Sequence, residues 1–409
     1  MTLNEDLSLA EYRLLLHCAR TRMDDERVRK ISSLINEGLD WEYLLKIAEW
    51  HGMLPLLYWH LGIKLQSEVP STFLSQLRND FLVNTHHNLS LLSELLTLLE
   101  ALNECRIAAI PFKGPVLAVL AYNNVALRQI VDLDIWIREP DFPRAKALLL
   151  SKGYNPWMHM TKAEEAIHLR HAHAYTFVRD DGVSVDLHWS VVEKFSPLYV
   201  DLSDCWKRLT PMRIEDSTIF TLPLEDLILV SYLQGSRDGW RQLKLVCDFS
   251  ELVQAHPKIN WEHVLAQAGR LGSKRMLSLG LVLAHELLGA PIPEKILLEA
   301  QTDSTVRSLF TVVRKALFSE DDKRANRFES ILISFKMREH LRFRDRVRYL
   351  TSPYWLMPNI KDKNILPLPH CLAFLYYLLR PLRLVREQGL NALKQIVKSL
   401  LNFRKSPMS

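Results

Sequence analysis

Asp132 and Asp134, in RQIVDLDIWI (residues 128–137), are the pair in this sequence best suited to chemistry. The segment alternates as a β-strand does, and strand side chains point to opposite faces with period two. The two acids therefore share a face with Ile130 and Trp136, while Val131, Leu133, Ile135 and Ile137 point the other way. A third acid comes from GVSVDLHW, where Ser184, Asp186 and His188 make one face and Val183, Val185, Leu187 and Trp189 the other. If these strands lie side by side with polar faces together, Asp132, Asp134 and Asp186 converge. Three carboxylates in one place repel one another. Hard divalent cations prefer such oxygen ligands, and two of them about 4 Å apart can activate an attacking oxygen and stabilise a leaving one. That is phosphoryl or nucleotidyl transfer chemistry. The plainer reading of Asp-x-Asp is a solvated outer face with ordinary ion pairs. Against it stand the apolar opposite face and a tryptophan beside the acids.

Residues 1–104 carry apolar positions at three- and four-residue spacing, as in DWEYLLKIAEWHGMLPLLYWHL, which predicts a helical region. The pattern changes at Arg106. RIAAIPF reads as a short strand, and Pro115 predicts a helix start for PVLAVLAYN. After the aspartate strand, EPDFPRAKALLLSKGY reads as a helix with Asp141 as N-cap and Gly153 as stop. AYTFVRDDGVSVDLHWSVV reads as a hairpin turning at Asp181-Gly182. Residues 105–220 thus form a small mixed-sheet α/β core, residues 221–320 a helical domain packing on it, and residues 321–409 a basic helical C-terminal region. The fold class is α+β, with helical domains on both sides of the core.

At 409 residues the chain exceeds one ordinary core, and 48% hydrophobic with 24% charged residues fits a soluble globular protein. A formal charge of +5 is small for this length, so any basic footprint must be local. Five scattered cysteines without a C-x-x-C pair argue against a disulfide framework or zinc knuckle and suit a cytoplasmic protein. The first residues lack the order of a signal peptide, and no apolar run is long enough for a transmembrane helix.

PFKGPVLAVLAYNNVALRQIVDLDIWIREPDFPRAKALLLSKGY followed by VDLHW resembles the uncharacterised bacterial nucleotidyltransferases of the DNA polymerase β-like superfamily. The matching residues are Lys113, Gly114, Tyr122, Arg128, Asp132, Asp134, Gly153, Tyr154, Asp186, His188 and Trp189. The resemblance implies a polymerase β-like core in which Asp132 and Asp134 bind Mg²⁺ (or Mn²⁺). Asp186 would be the third ligand and orient the acceptor. It implies an NTP substrate and an unidentified acceptor: a small molecule, peptide, protein or RNA. Better known members carry Gly-Ser at the start of the first helix of the core; this chain has Lys113-Gly114. A helix N-terminus behind glycine still binds phosphate through free N–H groups, and Lys113 adds charge. Arg128 suits phosphate as a guanidinium fork, or equally neutralises the aspartates. The Lys-Gly departure also keeps open a catalytically inactive nucleotide-binding scaffold or sensor.

His188 reads as a supporting residue hydrogen-bonded to the acids, and Trp189 as core. His168, His171 and His173 invite a zinc reading, but their spacing lacks the Glu of H-E-x-x-H. In GSRDGWRQLKLVCDF, Arg237, Trp240, Arg241 and Lys244 could line the far wall of the cleft, with Asp248 pairing to one of them; an ordinary amphipathic helix is the alternative. The arginine run FKMREHLRFRDRVRY offers an RNA-interaction reading against that of a solvated helix face. CLAFLYYLL with the basic residues after it is too short to span a membrane; peripheral membrane contact is the lesser reading there, and helix packing the simpler one.

Overall fold

The computed structural model describes residues 9–194, 196 and 198–318, together with 372, 375, 376, 379 and 380. The arginine run and most of the final apolar stretch lie outside the described residues.

The N-terminal part is helical: α1 (Ala10–Cys18), α2 (Asp25–Glu37), α3 (Trp41–His51), α4 (Leu54–Lys64) and α5 (Ser71–Glu104). Local chemistry sets their ends. Asp24 and Asp40 accept hydrogen bonds from the backbone N–H groups of Arg27 and Tyr43, capping α2 and α3. At 34 residues α5 is about 50 Å long. Its first turns bury Phe73 and Leu77 in one core, and its last turns bury Leu91, Leu95, Leu98 and Leu102 in another.

The sheet follows. Its strands are β1 (Ala109–Pro111), β2 (Leu133–Ile137), β3 (Asn155–Pro156), β4 (Ala174–Val178) and β5 (Ser184–His188). The order is β1-β2-β5-β4-β3, with β2 and β5 parallel and every other pair antiparallel. Two helices, α7 (Phe142–Ser151) and α8 (Lys162–His171), make the crossover from β2 towards β4 and β5. Proline cannot donate to a ladder, and Pro111 stands on the edge strand, where its carbonyl accepts from Thr221 Oγ1 at 2.8 Å. Between β1 and β2 runs α6 (Gly114–Tyr122). One face of the sheet, with Leu133, Ile135, Ile137, Val185 and Leu187, packs on the late turns of α5. The other presents Ile110, Phe112 and Trp136 to the larger core.

Beyond the sheet lie a second hairpin, β6 (Thr210–Ile214) and β7 (Ser217–Thr221), and the helices α9 (Leu224–Arg237), α10 (Leu243–Ala255), α11 (Trp261–Arg270), α12 (Lys274–Leu288), α13 (Glu294–Thr302) and α14 (Ser304–Leu317). N-terminal and C-terminal helices share one core: Tyr12, Leu15, Leu44 and Leu57 belong to the same cluster as Trp240, Phe249, Leu283 and Leu309. Among the described residues no helix is long and apolar enough to cross a membrane.

Several expectations change. The aspartate strand begins only at Leu133, and Asp132 lies in a bend before it. Alternation therefore fails upstream: Ile130 is buried with Leu133 and Ile135, whereas Val131 is 61% exposed. Asp141 does precede α7, but its carboxylate accepts from Arg144 Nη1 rather than capping the helix. Gly153, at φ +83°, ends α7 as expected. The hairpin β6–β7 is absent from the sequence reading, although TPMRI-ED-STIFT carries the alternation.

A carboxylate cluster held by a buried lysine

The parallel register of β2 and β5 sets Asp134 opposite Asp186 and Trp136 opposite His188. The two strands thus bring together acids far apart in sequence. One ligand atom each from Asp134, Asp186 and His188 lies within 4.8 Å of the others. Asp132 falls outside that group of three, because it precedes the ladder.

Lys113 and His188 decide the charge on Asp134. Lys113 Nζ donates to Asp134 Oδ1 at 2.8 Å, and both side chains are 8% exposed. His188 Nε2 reaches the same oxygen at 2.8 Å. A carboxylate can only accept, so the proton of His188 sits on Nε2. Phe112 packs against both partners of Asp134: the ammonium lies 4.9 Å from its ring centroid and the His188 ring packs edge-on at 5.2 Å. Burial opposes the charge on Asp134, but Lys113 and His188 outweigh it and hold the carboxyl far below the usual range.

Asp132 behaves oppositely. Burial first, then the charges of Asp134 and Asp186, push its carboxyl up to about 7. Asp186 contributes a buried oxygen, Oδ1, that makes no hydrogen bond. A buried unpartnered acceptor is costly. Asp134, Asp186 and His188 could together hold a divalent cation, two carboxylates and an imidazole with one buried carboxylate oxygen lacking a partner.

The first turn of α6 stands over this cluster. Gly114 has φ +53°, and a Cβ there would lie 3.3 Å from the carbonyl oxygen of Asp132. Glycine lets the helix N-terminus close on the bend.

Arg128 goes elsewhere. Its Nε and Nη2 donate to Asp248 Oδ1 and Oδ2, each at 2.9 Å, and Tyr122 Oη donates to Asp248 Oδ1 at 2.7 Å. Lys244, one helical turn before Asp248 on α10, is half-buried, and its aliphatic stem runs beside Gly52 and Gln129. Burial and then Arg128 lower its pKa, against the attraction of Asp248 and Asp132. No salt bridge joins it to a carboxylate among the described residues. Arg241 is half-buried just ahead of α10, whereas Trp240 is fully buried core against Gly235 and Gly280 and lines no cleft.

The three neighbouring histidines do different work. His168 Nε2 bonds the Ala174 carbonyl, and His173 Nε2 meets Arg237 Nη1 at 2.6 Å. Among the described residues they form no metal-spaced group. Trp189 is core, its Nε1 donating to the Ala172 carbonyl at 3.0 Å.

Asn88 went unread in the sequence. It is fully buried on α5, and its Nδ2 donates to the carbonyls of Val125 and Arg128 at 2.6 and 2.7 Å. Two asparagines four apart, Asn84 and Asn88, leading into a leucine stripe are the signal that could have found it.

Compared with known families, residues 37–289 match one described as an uncharacterised nucleotidyltransferase. No curated protein and no solved structure matches the chain.

Proposed function

The chain belongs to that uncharacterised nucleotidyltransferase family, and from this premise we propose that it moves a nucleoside monophosphate from an NTP to an acceptor, releasing pyrophosphate, with a divalent cation at Asp132, Asp134 and Asp186. The observation that carries the reading is the register of two parallel strands that sets Asp134 beside Asp186, with Asp132 just ahead of the ladder. Mg²⁺ or Mn²⁺ bound there would supply positive charge to the reacting phosphate and draw the acceptor oxygen towards it.

The protein's own groups do the rest by positioning and charge. Asp186 orients the acceptor hydroxyl by accepting its hydrogen. Phosphate oxygens rest on the N–H groups of the first turn of α6, behind Gly114. Lys244 and Arg241, at the start of α10, face them. Lys113 holds Asp134 ionised, and Arg128 supports the fold of the site through Asp248. Phe112 and the adjoining core exclude water from Asp134 and His188.

The Lys113–Asp134 ion pair favours one rival, a nucleotide-binding scaffold without turnover, since an ammonium already neutralises the acid. The test uses ATP, GTP, CTP and UTP, each with Mn²⁺, on wild type and on Asp134→Asn and Asp186→Asn. Binding is followed by calorimetry and pyrophosphate by its release. Metal-dependent binding and pyrophosphate release by wild type alone support transfer. Tight binding without pyrophosphate, over a broad acceptor screen, supports the scaffold. Absence of any metal-dependent binding removes both.

A further inference from the structure

Asp132 is the one acid of the cluster that no ladder holds, so something else must fix its carboxylate. The chain leading to it turns through a short 3₁₀ segment, Val125–Leu127, and reaches Arg128. Asn88 holds the backbone of that segment by its two carbonyl contacts. The Arg128 side chain is then gripped by both oxygens of Asp248, in a pair only 11% and 7% exposed. The same carboxylate accepts from Tyr122, the last residue of α6, whose first turn abuts the Asp132 carbonyl. One side chain of α10 thus ties down both the segment entering the bend and the helix lying over it.

We propose that Asp248 is a positioning residue: acting through Arg128 and Tyr122, it sets where the Asp132 carboxylate stands relative to Asp134 and Asp186, and with it the grip of the cluster on a divalent cation. The inference rests on the carboxylates being the cation site. Bidentate geometry makes the clamp directional: a guanidinium fork on a carboxylate fixes orientation as well as distance. A partner hydrogen-bonded directly to a metal ligand is typically worth about 10–100-fold in metal affinity, and Asp248 stands one residue further out.

Mn²⁺ alone is the probe, titrated by calorimetry and by the electron paramagnetic resonance signal of the free ion. Asp248→Asn should raise the Mn²⁺ dissociation constant by up to about tenfold while circular dichroism stays that of wild type. Tyr122→Phe, which removes only one hydrogen bond to the carboxylate, should raise it by about fivefold and serves if Asp248→Asn does not fold. Asp226→Asn is the control. Asp226 is as buried and is held by Arg208 at 2.8 Å, so its loss should lower the melting temperature and leave Mn²⁺ affinity alone. Wild-type affinity in folded Asp248→Asn or Tyr122→Phe overturns the positioning role while leaving the cation site standing. A loss equalled by Asp226→Asn makes the effect one of stability and overturns it too. Failure of wild type to bind Mn²⁺ overturns instead the reading on which the inference rests.

Discussion

Lys113 Nζ and His188 Nε2 meet at a single oxygen, Asp134 Oδ1, each at 2.8 Å. One comes from the turn before a helix and the other from a neighbouring strand, so an acid of the cluster is also a structural joint.

Removing the ammonium should therefore cost stability. Taking one partner from a buried ion pair costs on the order of 3 kcal/mol, and Lys113→Met should lose about that at pH 7, read by urea unfolding. The sign with pH follows from the depressed carboxyl. Asp134 contributes stability above the ordinary carboxylate range and loses it only in strong acid. In Lys113→Met only His188 is left to hold the carboxyl down, so its stabilisation should fade at milder acidity than in wild type. Equal stability of the two proteins at neutral pH removes the joint.

Asp132 carries the opposite sign. Its folded carboxyl is raised to about 7, above its unfolded value, so between mildly acid and neutral pH the folded state holds the extra proton. Stability should fall as pH climbs to about 7 and level off beyond it. Asp132→Asn lacks that penalty. It should match wild type only below about pH 4, where the unfolded carboxyl is protonated too, and exceed it at pH 8 by on the order of 2 kcal/mol. Mn²⁺ affinity of the wild type should climb over the same interval as the proton leaves. A metal affinity flat across neutral pH counts against Asp132 as a ligand.

Gly114→Ala tests the closeness of helix and bend. A left-handed backbone costs a non-glycine residue about 1–2 kcal/mol, and the added Cβ meets the Asp132 carbonyl oxygen at 3.3 Å. Thermal melting should show the strain, and calorimetry a weakened NTP–Mn²⁺ complex. An unchanged melt and unchanged nucleotide binding place the first turn of α6 away from the phosphates.

Much of this was legible beforehand. Periodicity gave the helices of residues 10–104 and 224–288, and alternation gave the faces of β5 and of β2 from Leu133 onward. It set Asp134 and Asp186 on faces that a parallel pairing brings together. Alternation says which way a side chain points and nothing about its partner. Hence Lys113, read as a phosphate ligand, holds Asp134, and Arg128, read equally as a phosphate ligand or as a partner of the aspartates, holds Asp248, 120 positions away from it in sequence. It also assumes an unbroken strand, and the bend at Asp132 reverses Ile130 and Val131. Trp240, read either as part of a cleft wall or as part of an ordinary amphipathic helix, is core; the glycines that make room for its ring, Gly235 and Gly280, lie in other turns of the fold.

The shared helical core has a kinetic meaning. Tyr12 of α1 packs edge-on against Phe318, the ring centroids 5.3 Å apart, so the packing of the first helix is complete only when the chain has been synthesised well beyond the sheet. Contacts of such sequence separation pay loop-closure entropy before they return anything. During synthesis the sheet and the late turns of α5 have all their parts long before the larger core does, and the apolar surface that the N-terminal helices share with the later ones waits uncovered. That interval is when the nascent protein is most exposed to self-association, and it ends with the arrival of α14.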